Sequence, residues 1–442
     1  MSPLTRIGEA IACLAAGFSV VAAPPLRAQT DADVAGATER IAPRMIEIRH
    51  DIHQHPELSN RETRTAAIVA RYLRGLGLEV RTGIARTGVI GILKGGRPGP
   101  VVAIRADMDA LPVTEQGDFP FRSVEKATYL GRETGVSHAC GHDIHVASQL
   151  GVATVLAGMK EKLTGTVVFI FQPAEEGAPP GEEGGAKLMV AEGALSNPKP
   201  DMILAFHTNG GPPESGPDHN LGMVGYTPGP AMAAATKFTA RVIGRQAHGS
   251  TPHLGVDAIV TASQIVLALQ TIRSRSLSPF TPSVVTVGVM RGGDRNNIVA
   301  GEMLLEGTIR TFSFGAQDSV EQRMREIFDG ITRSAGASFT LEFDRSHPVT
   351  VNDSALAARF DPVLRRVVGT EKVLVRPPIT GAEDFSYLAQ QVSGFYLFIG
   401  VVPPGKVSGG HHTPTFYADD QAIPIAMRVM SALVLNGLGA GK

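Results

Sequence analysis

The chain has 442 residues, too many for one small core and enough for two domains. Lys and Arg total 41 against 42 Asp and Glu, a net charge of −1, so nothing in the charge balance calls for nucleic acid as a partner. Apolar residues at 43% and charged residues at 19% are the proportions of an ordinary globular protein.

The N-terminus departs from that average. "MSPLTRIGEAIACLAAGFSVVAAPPLRAQT" places Arg6 before an apolar run over 11–23 and small residues near Ala28, the order of a secretory signal peptide. The run falls short of the roughly 20 apolar residues of a membrane span. The expectation is a leader at 1–28 on an exported protein, periplasmic or secreted, with no lasting membrane association. An N-terminal anchor or a buried helix is the competing reading. Cys13 lies too early in the run for lipid attachment, and cleavage after Ala28 would remove it. Cys140 would then be the only cysteine, unable to form an internal disulfide.

"ERIAPRMIEIRHDIHQHPELS" predicts a helix ending near His55-Pro56, since the residue before proline avoids helical geometry. A second helix is expected over 61–76, stopped by Gly77. Apolar runs at 101–112, 164–177 and 201–209 read as strands, with a long helix over 143–163 between the first two. Continuous apolar strands alternating with helices predict an α/β sheet buried on both faces. The loops at 175–185 and 209–220 are rich in Gly and Pro and belong on the surface.

The middle of the chain changes character. Strands at 236–244, 283–293, 301–312 and 338–345 alternate with helices at 257–276, capped by Asp257, and 317–336. That βαββαβ order is a ferredoxin-like split βαβ unit inserted at 230–345. A strand at 395–402 and a helix after Asp420 return to the α/β pattern. The outer domain is therefore expected in two segments, 29–229 and 346–442.

Chemistry concentrates at "HACGHDIHVAS", residues 138–148, in a chain with 13 His and 2 Cys. Three expected strands end in polar clusters: Asp107 and Asp109, Glu175-Glu176, and His207. Ligands in open α/β sheets collect at the carboxyl ends of strands. With Cys140 and His142 these make a mixed N, O and S donor set, suited to zinc or another late divalent metal and not to calcium or magnesium. The donors are too many for one tetrahedral ion, and two ions about 3.5–4 Å apart can share a hydroxide. Of the glutamate pair, one would bind metal and the other would take a proton from water, work best done with a pKa raised toward neutrality.

"RADMDALP", "HACGHDIH", "QPAEEG", "AFHT", "GRQAHGSTPH", "GTIRTF", "GAEDFS" and "HHTPTF" occur in this order. The chain so resembles the dinuclear metallopeptidase family of aminoacylases, hippurate hydrolases, auxin-conjugate (IAA-amino acid) amidohydrolases and related carboxypeptidases. The resemblance runs from about Ile46 to Leu435. It implies a zinc-peptidase-like catalytic domain, with a mixed sheet flanked by helices, and an inserted lid or dimerisation domain. It also implies Cys140, His142, Glu176, His207 and His412 as metal ligands, Cys140 bridging, and Glu175 as general base. Asp107 would orient a ligand from behind. His248 would stabilise the tetrahedral intermediate, reaching the partner subunit's site in a homodimer, while Asn297 and Arg310 would hold the substrate carboxylate. The implied cofactors are two divalent ions, zinc or manganese, with cobalt or nickel also suited.

His411 competes with His412 for the last ligand position, and the alignment of "HTPTF" favours His412. His138 and His145 are expected to fill or cap their turn, Asp109 to make a structural hydrogen bond, and Glu182-Glu183 to be solvated. His50, His53 and His55 are left to a helix end. Two departures from the family stand out: "APPGE" lengthens the loop after Glu176, and "NNIVAGE" replaces the usual Asn-x-Ile-Pro run around Asn297. The expected reaction is metal-assisted hydrolysis of an N-acyl amino acid or small peptide, with the insert closing over the site. Two other readings compete. In one, Cys140 is a nucleophile with His142 as its base. In the other, the chain is a non-catalytic exported protein that binds metal or peptide.

Overall fold

The computed structural model describes residues 26–439, so the expected leader lies outside the described residues as far as residue 25. The first helix, α1 (Leu26–Gln54), starts well before the expected position and ends where Pro56 requires. Met45, Ile48 and Ile52, on one helical face, are buried. In α2 (Thr63–Gly75) the same spacing buries Val69, Ala70 and Leu73. Among the described residues no helix is long and apolar enough to cross a membrane.

The strands β1 (Glu79–Ile84), β2 (Gly88–Lys94) and β3 (Arg97–Asp107) follow. A short hairpin, β4 (Lys126–Tyr129) and β5 (Arg132–Gly135), precedes α3 (His142–Gly158). Next come β6 (Thr164–Gln172), α4 (Gly185–Ala191), β7 (Met202–Asn209), β8 (Val224–Tyr226) and β9 (Gly229–Met232).

The inserted unit contains β10 (Ala234–Ile243), β11 (Ala247–His248), α5 (Ala258–Leu269), β12 (Ser283–Gly292), β13 (Ile298–Val299), β14 (Glu302–Thr311), α6 (Phe314–Ala335) and β15 (Ser338–His347). Its sheet is antiparallel in the order β12-β14-β10-β15, which is the ferredoxin-like arrangement. A separate core of Phe238, Ile265, Leu305, Val320 and Phe328 holds it together. The Asp257 carboxylate accepts from the N–H groups of Ile259 and Val260 at 2.9 and 3.1 Å, capping α5 as expected.

The chain returns through β16 (Thr350–Asn352), α7 (Ser354–Val368), β17 (Val373–Val375), α8 (Phe385–Ala389), β18 (Ser393–Gly400) and α9 (Ala422–Gly437). The large sheet runs β1-β2-β6-β3-β7-β18-β8-β17. Its central strands β6, β3, β7 and β18 are parallel, and β1, β2 and β8 make it mixed. One face packs on α1, α3, α7 and α9, the other on α4 and α8. Parallel direction puts the carboxyl ends of β3, β6, β7 and β18 along one edge, where polar side chains can meet without crossing either core.

Candidate metal centre

Cys140 and His142 flank Gly141, which caps α3 with φ +84°. The left-handed turn needs glycine, and a Cβ there would lie 2.5 Å from Thr208 Oγ1. That hydroxyl donates to the Cys140 carbonyl at 2.8 Å, tying the turn to the end of β7. A second strained residue, Ala174 with φ +52°, precedes Glu175 and turns the chain as it leaves β6. Asp109 then accepts the N–H groups of Glu175 and Glu176 at 3.1 and 3.0 Å and the Ser59 hydroxyl at 2.7 Å, the structural role expected of it.

The imidazoles are set by their hydrogen bonds. His142 Nδ1–H donates to the Asp109 carbonyl at 2.8 Å, leaving Nε2 buried with no hydrogen-bond partner. His207 Nδ1–H donates to the Thr208 carbonyl at 2.6 Å, and its Nε2 faces Cys140 Sγ at 3.4 Å. Both present a lone pair to the same space, as metal-binding histidines do. Glu176 Oε1 is likewise buried without a hydrogen bond. Cys140, His142 and Glu176 form one group of donor atoms within 4.8 Å of one another. An unpartnered buried nitrogen such as His142 Nε2 is costly unless something fills the space before it.

The last histidine divides distance from tautomer. His411 Nδ1 lies 3.4 Å from Cys140 Sγ and completes a group with Cys140 and His207. Its Nε2, however, accepts the Gly210 N–H at 3.2 Å, so a neutral ring carries its proton on Nδ1 and donates it to the sulfur. His412 is the more exposed of the two, and its Nε2 sits 3.0 Å from Glu176 Oε1, the separation of two atoms sharing an ion.

His145 uses both nitrogens, donating from Nδ1 to Asp107 at 2.5 Å and accepting the Thr208 N–H at Nε2, 2.8 Å away. It fills its turn and has no lone pair left for a metal. His138 is buried with both nitrogens unpartnered, and burial lowers its pKa to about 3.

Beneath the donors lies a charged floor in which Asp107 alone had an expected role. Arg105, fully buried in β3, donates to Asp107 at 2.7 Å, Glu383 at 2.9 Å and Asp384 at 3.1 Å. Tyr396 donates to Glu383 at 2.6 Å. An arginine inside an apolar strand and the acidic pair of "GAEDFS" were the available signals. Burial, then Glu383, Glu176 and Asp384, pushes the Glu175 carboxyl well above the usual range. Burial opposes a charge on His142, yet Asp107 and Asp109 raise its pKa to about 10. A site that draws a proton onto this ring offers strong attraction to a competing cation.

Cys140 fits poorly as a nucleophile. Burial and the carboxylates of Glu176, Glu175 and Asp107 hold its thiol well above the normal range, whereas a reactive cysteine needs a lowered pKa. The donor set suits metal instead: thiolate, imidazole and carboxylate together are the ligands of late divalent ions.

The cleft above these groups has a volume of about 300 Å³, and Cys140, Glu175, Glu176, His207, His411 and His412 line it together with Arg376. His248, Asn297 and Arg310 do not. His248 lies on the exposed β11 and Asn297 just before β13, where Gly249 N–H donates to the Asn297 carbonyl at 2.8 Å. Arg310 is half-buried near the end of β14. Glu183 is exposed as expected, while Glu182, at the surface, accepts from Arg61 at 2.5 Å and Asn60 at 3.0 Å, fastening the longer loop.

Residues 103–436 match the Peptidase family M20/M25/M40. A thermostable carboxypeptidase of Saccharolobus solfataricus is 37% identical over 395 residues, covering 89% of this chain and 95% of its own. An N-acetyl-L-cysteine deacetylase of Bacillus subtilis is 34% identical over 381 residues, covering 86% of this chain and 84% of its own. A solved Bacillus subtilis structure, a dinuclear metal-binding peptidase from the M20 family, superposes with a TM-score of 0.75 at 31% identity, over 91% of this chain and 99% of that one.

Proposed function

The chain belongs to the peptidase family M20/M25/M40, a hydrolase of amide bonds, and from that premise we propose that it cleaves N-acyl amino acids or small peptides at a centre of two divalent ions. The observation that carries this reading is His142 Nε2, buried without a hydrogen bond and facing, with Glu176 Oε1, the same space as Cys140. Cys140, His142, Glu176, His207 and His412 would hold the two ions, with Cys140 common to both. Zinc or manganese suits the donors, and cobalt or nickel is admitted. Such ions polarise a carbonyl and acidify water, which supplies the Lewis-acid part of the chemistry.

The residues of the chain do the rest. Glu175 takes the proton of the attacking water and delivers it to the departing amine. Asp107 stays ionised through Arg105 and holds His145, which in turn fixes Thr208 beside Cys140 and His207. His248, Asn297 and Arg310 lie outside their own cleft, which supports a homodimer in which the inserted unit of the partner subunit completes the site. An exposed apolar face on α5, with Ile259, Val260 and Leu267, supports that interface. The leader pattern at 1–28 supports export. A non-catalytic binder has no observation in its favour.

The test is Glu175→Gln. Turnover of an N-acyl amino acid should fall by about 10²–10⁴-fold with metal content intact, the loss expected of a general base. Unchanged turnover would remove Glu175 from the reaction.

A further inference from the structure

Of the described side chains that line the metal cleft, Arg376 alone is a lysine or arginine, and the hydrolytic reaction does not use it. Its place is set by three neighbours. The Arg376 N–H donates to the Tyr226 carbonyl at 2.8 Å, next to the β17–β8 pairing. Gly225 of β8 leaves room for the stem, since a Cβ there would collide with Arg376 Cδ. The guanidinium carbon then sits 4.3 Å from the centre of the Phe398 ring, a cation–π contact that holds it in place. The same ring lies 6.2 Å from that of His207, so one aromatic side chain separates the guanidinium from a metal-binding histidine.

The fork is only partly satisfied. Nε lies 2.8 Å from Asp218 Oδ2, whereas Nη1 is buried without a hydrogen-bond partner. Burial lowers the Arg376 pKa, and the charge of Asp218 does not fully restore it. A clamp between β17 and the turn at Pro217–His219 would need the Asp218 contact alone. It gives no reason for a second nitrogen left unpaired, which is costly and which a carboxylate can satisfy bidentately. The acidic neighbours in the cleft are themselves engaged. Glu383 accepts from Arg105 and Tyr396 at 2.9 and 2.6 Å, and Glu176 faces the metal space.

We propose that Arg376 is a specificity residue that binds a second carboxylate of the substrate, so that dianionic N-acyl amino acids are preferred. The α-carboxylate is the expected task of Asn297 and Arg310, which lie outside this cleft. The inference rests on the amidohydrolase reading and names the substrates it favours. The second carboxylate belongs to the amino-acid side chain or to the acyl chain, and its chemistry at Arg376 is the same.

The experiment uses two isosteric pairs on the full mature enzyme loaded with zinc or manganese. N-acetyl-L-glutamate is compared with N-acetyl-L-glutamine, and N-succinyl-L-alanine with its terminal amide. In at least one pair the acid should exceed the amide by about 10–100-fold in kcat/KM, the effect of a hydrogen bond to a charged group. The pair that responds identifies the half of the substrate that carries the carboxylate. Arg376→Gln should bring that ratio close to one, and Arg376→Lys should keep part of it. The ratio does not depend on the active fraction of a preparation. Ratios near one in wild type for both pairs, or a preference unchanged by Arg376→Gln, would overturn the proposal while leaving the hydrolase intact. Affinities measured on Glu175→Gln protein, with and without Arg376→Gln, read the same preference without turnover. An acid preference that needs Arg376, in a protein whose wild type hydrolyses none of the four compounds, would sink the amidohydrolase reading and keep the anion site.

Discussion

Two adjacent histidines, His411 and His412, reach the metal cleft with different freedoms. His411 is committed by the Gly210 N–H at its Nε2, whereas no hydrogen bond fixes the His412 ring that faces Glu176. The account assigns metal to His412 and a hydrogen bond to the Cys140 sulfur to His411. His412→Ala should therefore lose one of the two ions, measured by elemental analysis after dialysis. His411→Ala should keep both and weaken affinity by about 10–100-fold, as expected for a group that acts through a ligand. The reverse pattern would exchange the two roles. Which histidine does which could not be read from "HHTPTF", because the choice depends on a backbone N–H 201 positions away. Arg105 was equally opaque: its partners Glu383 and Asp384 lie 278 and 279 positions further along the chain. Cys140, His142, Glu175, Glu176 and His207 were legible because each stands at a strand end or a helix start, where sequence pattern marks the edge of the sheet.

Between elements, α1 and α3 are clamped by charge. Arg49 donates to Asp143 at 2.8 Å, and His53 bridges Asp143 and Glu115 at 2.9 Å each. His53 thus belongs to a buried network behind α3, beyond the helix-end role its position implied. Burial works against its charge, but Asp143 and then Glu115 raise its pKa to about 9 from the ordinary 6.5. A raised folded-state pKa stabilises the protein fully below the unfolded value and is lost as pH climbs through the folded one. The melting-temperature gap between wild type and His53→Gln should thus be largest below pH 6.5 and close as pH passes 9, representing up to about 3 kcal/mol. A gap constant from pH 6 to 9.5 would remove the charged imidazole from the clamp. Long periodic elements such as α3, α6 and the insert strands were readable from their patterns. The β1–β2 pair was not: β1 is a mostly exposed edge strand, and Gly88 and Gly91 dilute the apolar signal of β2. Gly91 is there because a Cβ would lie 2.8 Å from Leu73 of α2. The β4–β5 hairpin escaped for a related reason, being short, polar and largely exposed.

Across the whole molecule, the inserted unit has its own core and carries His248 and Asn297 away from the cleft of its own chain. A site completed by a second subunit should depend on the face that joins the two. Leu267 on α5 is 71% exposed, so Leu267→Asp is not expected to disturb the core. Light scattering should find wild type as a dimer and the variant shifted to monomer, with kcat/KM falling in step. A monomeric wild type of full activity would mean that the insert serves its own chain by closure. Composition and the βαββαβ order were enough to expect this division, since a change from parallel α/β to antiparallel pattern is written in the run lengths. How the unit is oriented toward the cleft is not, because orientation is set by packing at the junctions near β9 and β16 and leaves no periodic trace.

The central claim is a two-ion centre bridged by Cys140, and metal stoichiometry tests it most directly. The mature protein and Cys140→Ala would be dialysed against zinc or manganese and assayed for bound metal. The account predicts close to two ions per wild-type chain and a clear reduction in the variant, since both sites lose their shared sulfur. Wild type that retains no specific metal, or a variant that binds as many ions as wild type, would contradict it.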